Sequence, residues 1–150
     1  MNDIAGSLGM NIVEDCLILS VPDEIDNDIL ELLKNNVLQK ITANSLKGMI
    51  IDFSSLAILD SYEYNEFLKL IKMIKLFGLS VFVVGLQPGI VSALIDMDVD
   101  TDGLLTFLNL EEGLNAFRIQ NGKEPEIDEN NDERDDINND GNDEYLTDED

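Results

Sequence analysis

Asp60, Ser61 and Glu63 are the residues of this chain best placed to do chemistry. They belong to the stretch GMIIDFSSLAILDSYEYN, residues 48–65, which reads as a buried strand, a short loop and a helix opening at Asp60-Ser61. The first N–H groups of a helix have no partner within it, and the helix dipole favours negative charge there. A hydroxyl at that position is therefore set up to carry a phosphate. Asp60 and Glu63 have the spacing of an N-cap and the third helical residue, a carboxylate version of the capping box. The plainer reading is that Asp60 and Ser61 only start the helix.

A second chemistry is written in the other carboxylates. Asp52 lies near the end of an apolar run, and Glu14-Asp15 form an acidic pair. Together they suggest a phospho-aspartate receiver, or a related Mg²⁺-dependent enzyme, with Asp52 as the acceptor. Two features oppose it. A receiver's acidic pair leads from a strand into a helix, whereas Asp15 leads into another strand-like run. No Lys or Arg occurs between Lys75 and Arg118 to hold a phosphoryl group late in the fold.

Other chemistries are limited by what is present. The chain has no histidine, which excludes histidine catalysis and histidine metal sites. Its one cysteine, Cys16, lies in the apolar run CLILSV and reads as a buried structural thiol, with no internal disulfide. The segment Gly85-Leu86-Gln87-Pro88-Gly89 lacks the GK[ST] that completes a phosphate loop. Asp136, Asn138, Asp140 and Gly141 match four places of a calcium loop, but its twelfth place is Thr147, so this is read as solvated chain. No cofactor and no metal are expected.

The charge balance narrows the partners. Nine bases against 32 acids give a net charge of −23 over 150 residues. Such a chain repels nucleic acid and anionic membranes, so neither is expected to bind. Residues 121–150 hold 14 of the acids and 2 of the bases, with few apolar residues. That composition cannot bury enough surface to offset the entropy of ordering. The reading is one folded domain, residues 1–120, followed by a disordered acidic tail, residues 121–150. The longest apolar stretch, Leu76–Leu86, is shorter than the ~20 residues of a membrane span. The N-terminus shows no signal-peptide pattern, so a cytoplasmic protein is expected.

The elements that must position Ser61 follow from periodicity. Met10–Val13 and Cys16–Val21 read as a β-hairpin around Glu14-Asp15. Asp28 and Glu31, at capping-box spacing, open an amphipathic helix over residues 27–44. MIIDF reads as a central parallel strand. A second helix runs from Ser61 to Phe77, with Tyr64, Phe67, Leu70, Ile71, Ile74 and Phe77 inward, Lys69, Lys72 and Lys75 outward, and Gly78 as its stop. LSVFVVGL is a second buried strand. Pro88 opens a short helix bearing Ile90, Val91, Leu94 and Ile95. Leu104–Leu108 makes a last strand, and Leu110–Arg118 a closing helix. The order β-β-α-β-α-β-α-β-α predicts an α/β fold: a mostly parallel sheet opened by a hairpin, with four helices.

This order, with Asp-Ser starting the helix after the third strand, resembles the STAS domain of bacterial anti-sigma-factor antagonists and stressosome scaffolds. The resemblance covers about residues 10–118. It is carried by DCLILSV, IIDFSSLAILDS, LFGLSVFVVGLQPGIVSALIDM and LNLEEGL. GLQP is the most discriminating piece: scaffold chains have a similar GIQP, and their sensor-bearing partners tend to have arginine where Gln87 stands. The resemblance implies a non-enzymatic phosphoprotein of stress signalling, with Ser61 as phosphoacceptor and Asp60, Tyr62, Glu63 and Tyr64 forming the switch surface. It implies homo- and hetero-oligomers with sensor-bearing STAS proteins, a switch serine kinase held until Ser61 is phosphorylated, and a phosphatase that reverses the mark. A stand-alone anti-sigma-factor antagonist is the alternative. Ala93 stands where relatives often have a threonine, and Asp98 where they end that helix with glycine.

Overall fold

The computed structural model of the chain describes residues 9–123. Strands β1 (Met10–Val13) and β2 (Cys16–Ser20) form the expected antiparallel hairpin. Strands β3 (Gly48–Asp52), β4 (Ser80–Val84) and β5 (Thr106–Phe107) then add in parallel, giving the order β1-β2-β3-β4-β5. Glu14 and Asp15 make the hairpin turn with φ of 51° and 66°, the paired left-handed geometry of a two-residue type I′ connection. Helices α1 (Asn27–Ala43), α2 (Ser61–Leu76) and α3 (Pro88–Asp96) supply the crossovers, and α4 (Leu110–Gln120) follows the last strand.

Strands added one after another in the same direction require right-handed crossovers to lie on the same face. The core obeys this. Leu17, Leu19, Met49, Ile51, Val81 and Val83 face a cluster shared with α1, α2 and α3. The alternate residues Cys16, Ile18, Ile50, Phe82 and Val84 face the other side, against Phe117 of α4. Both faces are covered, which is why β3 and β4 read as continuous apolar runs rather than alternating ones. Gly48 makes room for α4: a Cβ there would stand 2.7 Å from the Phe117 ring. Cys16 is fully buried, and desolvation pushes its thiol up to about 12, in keeping with a structural role.

Several local readings need correction. Helix α1 is capped by Asp26 rather than Asp28. The extended backbone of Asp26 lets its carboxylate accept from Ile29 N at 2.8 Å, while Asp28 sits inside the first turn. Phe77 caps α2 and is 50% exposed, not inward. Strand β5 keeps two residues of the five expected, since only Thr106 and Phe107 pair with β4. Gly78 does stop α2, at φ 88°. Asp98 adopts φ 53° after α3, the left-handed conformation that aspartate tolerates better than most residues.

Candidate functional site

Ser61 lies at the strand C-terminal end of the sheet, where a loop of eight residues leads from β3 into α2. That loop is tied down at both ends. Phe53 N donates to Val84 O at 2.9 Å, and Leu56 and Leu59 are buried anchors. Asp52 Oδ1 accepts from Ser54 N at 2.9 Å and from Ser54 Oγ at 2.5 Å. Gln87 Nε2 donates to Ser54 O at 2.9 Å, so the segment GLQP holds the loop from the neighbouring strand. Gly85 closes over the same turn at φ 75°; a Cβ there would overlap Ser54 Oγ and stand 2.8 Å from Asp52 Oδ1. The tie between Gln87 and Ser54 is not predictable from spacing, because 33 residues separate the partners.

The helix start has the predicted construction. Asp60 is the N-cap, with Oδ1 accepting from Glu63 N at 2.7 Å and its carbonyl accepting from Tyr64 N at 2.9 Å. Leu59 and Tyr64, on either side of the cap, are both buried and line the same internal space, as in a hydrophobic staple. This fixes the entry angle of the chain and leaves Ser61 exposed as the first helical residue. The amides of Glu63 and Tyr64 are thus occupied by Asp60.

Asp60, Ser61, Tyr62 and Glu63 come together at this corner; Tyr64 does not. Tyr64 is 5% exposed, because its place on α2 points into the core, and its hydroxyl donates to Asp100 O at 2.8 Å. Burial raises its phenol above the usual range. Glu66, two residues on, is nearly buried and accepts from Lys34 and, at 3.1 Å, from Lys69. The hydrogen bonds from these two lysines hold its carboxyl below the usual range. Tyr62 is 56% exposed. It borders a groove of about 490 Å³ with Ile25, Asp26, Leu30, Asp60 and Glu63, between the starts of α1 and α2.

Electrostatics at the corner are unfavourable to added negative charge. Desolvation, and then the Asp60 carboxylate beside it, push the Glu63 carboxyl up to about 6 from an ordinary value of 4.5. The folded chain thus holds this proton more tightly than the unfolded chain. The stability it contributes is full below about pH 4.5 and is lost as the pH rises through 6. Glu63→Gln keeps the acceptor and removes the charge. It is expected to raise the melting temperature at pH 7.5 and to leave it unchanged at pH 4. Thermal unfolding monitored by circular dichroism at the two pH values checks this, and equal shifts at both would contradict it.

The receiver reading fails on geometry. In the parallel register Cys16 pairs with Gly48 and Ser20 with Asp52. The Glu14-Asp15 turn therefore sits at one end of the strands and Asp52 at the other. Glu14 instead accepts from Arg118 Nε at 3.0 Å, which holds its carboxyl below the usual range. The calcium-loop match and residues 124–150 of the expected acidic tail fall outside the described residues.

An α/β sheet domain presenting a capped, exposed serine at a strand-to-helix corner is the class defined by this geometry. The STAS domain model matches residues 7–113, and the chain belongs to that family. Two curated relatives come from Bacillus subtilis (strain 168). The RsbT co-antagonist protein RsbRB is 24% identical over 98 residues, covering 65% of this chain and 35% of its own length. The RsbT co-antagonist protein RsbRD is 25% identical over 122 residues, covering 80% of this chain and 44% of its own length. The chain thus spans less than half the length of these relatives. Among solved structures, a serine-to-glutamate variant of RsbS from Moorella thermoacetica is 25% identical with a TM-score of 0.68, covering 77% of this chain and 97% of that one. A chain from the molecular architecture of the stressosome, a signal integration and transduction hub, is 26% identical with a TM-score of 0.67, covering 75% and 98%. Among the described residues, no helix is long and apolar enough to cross a membrane.

Proposed function

We propose that this chain is a non-enzymatic phosphorylatable scaffold of a stressosome-type assembly. It binds sensor-bearing STAS proteins and holds a switch serine kinase until Ser61 is phosphorylated, and a phosphatase resets it. The observation that carries the reading is Ser61 itself. It is exposed at the first position of α2, after a loop pinned by Asp52, Ser54 and Gln87. Likeness to the RsbS and stressosome chains, at near-complete coverage of both, supports it.

The switch follows from charge. A phosphoryl group on Ser61 Oγ adds about −1.5 to −2 charges. The amides of Ser61 and Tyr62 stabilise it, while Asp60 and Glu63 oppose it. A partner that reads this corner as a neutral hydroxyl meets a changed surface without any refolding of the domain.

The alternative is a stand-alone anti-sigma-factor antagonist. Light scattering coupled to size exclusion separates the two. With a sensor-bearing STAS partner, the scaffold reading expects a large hetero-oligomer containing both chains. A species that stays monomeric beside every such partner would favour the antagonist.

A further inference from the structure

The charges of the helices are sorted by end. The first turns of α1, α2 and α4 hold Asp28, Glu63, Glu111 and Glu112, and their last turns hold Lys40, Lys75 and Arg118. The helix dipole favours this order, since it is positive at the start and negative at the end. Each of these helices follows a parallel strand, so each starts at the strand C-terminal end of the sheet. The Ser61 corner is therefore acidic, and lysines collect at the opposite end. Cys16, Gly48 and Ser80 mark that end, paired across β2, β3 and β4. Lys47 directly precedes Gly48, and its carbonyl accepts from Ser80 N at 3.2 Å. Helix α2 ends just before Ser80, with Lys75 and Leu76 each one turn from Lys72. Lys40, Lys47, Lys72 and Lys75 are exposed, and Leu76 and Phe77 are 88% and 50% exposed. Lys75 donates to Gly103 O at 3.3 Å, which leaves its ammonium further donors. Of the two acids in the hairpin turn at this end, Glu14 is already paired with Arg118.

The complement lies in the same chain. Residues 124–150 hold 14 acids against one base, Arg134. Within them Tyr145-Leu146 stands between Asp143-Glu144 and Asp148-Glu149-Asp150, an apolar pair among acids. Helix α4 delivers this segment to the lysine end. Its Arg118 meets Glu14 of the hairpin turn at 3.0 Å, and Lys123 N donates to Arg118 O at 2.8 Å. The chain therefore leaves the described residues beside the start of β2. Along the sheet, β2 and β4 are about 10 Å apart. A chain the length of residues 124–142 reaches about 25 Å or more on average, enough to round the end of the sheet. The acidic surface around Ser61 repels the same segment, so charge selects the opposite end. We propose that residues 143–150 dock on this lysine end of their own domain. Tyr145 and Leu146 lie against Leu76 and Phe77, and the flanking carboxylates pair with Lys40, Lys47, Lys72 and Lys75. Exposed ion pairs are individually weak. The tether compensates with an effective concentration of about the millimolar range. The contact covers the outer end of α2 and leaves Ser61, at the other end of that helix, open. It does not depend on phosphorylation of Ser61.

The test uses the full chain carrying a nitroxide at Asn142→Cys, read by nuclear magnetic resonance on isotope-labelled protein. Cys16 is fully buried and does not take the label. Helix α3 packs on the same sheet face as α2 and carries no base, so its amides are the reference. Paramagnetic relaxation of the Lys72–Phe77 amides at low salt is expected to exceed that of α3 at least about threefold, and to fall to the α3 level at high salt. Lys47→Glu with Lys72→Glu and Lys75→Glu is expected to remove the excess at low salt. Tyr145→Ser with Leu146→Ser lies outside the folded elements, cannot unfold them, and is expected to reduce the excess at least about twofold. Equal relaxation of α2 and α3, or an excess that survives both sets of substitutions, would overturn the proposal. Isotope-labelled chain without nitroxide, mixed with nitroxide-bearing chain at natural abundance, is expected to show no excess. An excess in that mixture would place the segment of a second copy on α2 and overturn the intramolecular contact.

Discussion

Gly85→Ala is expected to destabilise the folded chain by about 2–4 kcal/mol, the scale of a strained backbone position combined with a steric overlap. Two independent features produce the cost. Gly85 holds φ 75°, where an L side chain is disfavoured. Its added Cβ would also strike Ser54 Oγ, Asp52 Oδ1 and Ser54 N, the atoms that hold the turn after β3. Relief requires pushing apart two hydrogen-bonded segments, since neither neighbour is the free end of a long side chain. Gly89→Ala is the matched control. Nothing lies within 4 Å of its added Cβ, and it sits in the first turn of α3. It should be neutral or slightly stabilising, by up to about 1 kcal/mol. Urea unfolding of the two variants checks the pair, and a Gly85→Ala stability within about 0.5 kcal/mol of wild type would show that the turn relaxes freely.

The second large effect concerns kinase retention. Under the proposed function, an assembly built with Ser61→Ala should keep the switch kinase bound after ATP is added, while wild type releases it. Ser61→Asp should weaken retention without ATP, about tenfold, but less than phosphorylation does. One carboxylate supplies less charge and fewer acceptor oxygens than a phosphate. Both substitutions fall on an exposed first-turn residue that makes no core contact, so neither should alter the fold. Kinase co-sedimentation with the assembly, with and without ATP, measures the effect. Equal release from wild type and Ser61→Ala would remove Ser61 from the switch.

The sheet and the helix start were legible because each rests on local chemistry. Apolar runs bounded by Gly78, Pro22 and Gly48 locate the strands, and the Asp60-to-Glu63 spacing locates the cap. What was illegible depends on contacts between distant residues. Arg118 finds Glu14 across 104 residues, and Lys34 reaches Glu66 across 32. The burial of Tyr64 runs against its place in the switch surface that the resemblance implies. The helical face that already placed Tyr64 inward was the better guide. On α3 periodicity gives one apolar stripe, but not how much of it is covered: Ile90 and Leu94 are buried, while Val91 and Ile95 stay exposed. GLQP stood out by resemblance, and only the structure supplies its physical reason, the reach of Gln87 to Ser54 O over Gly85.

Site-mapped mass spectrometry after incubation with the cognate switch kinase and ATP tests the central claim most directly. The account predicts one phosphoryl group within residues 9–123, on Ser61, and its loss in Ser61→Ala. Undiminished phosphorylation of that region in Ser61→Ala, or a phosphate carried by Ser54, Ser55 or Ser92 in the wild type, would contradict it.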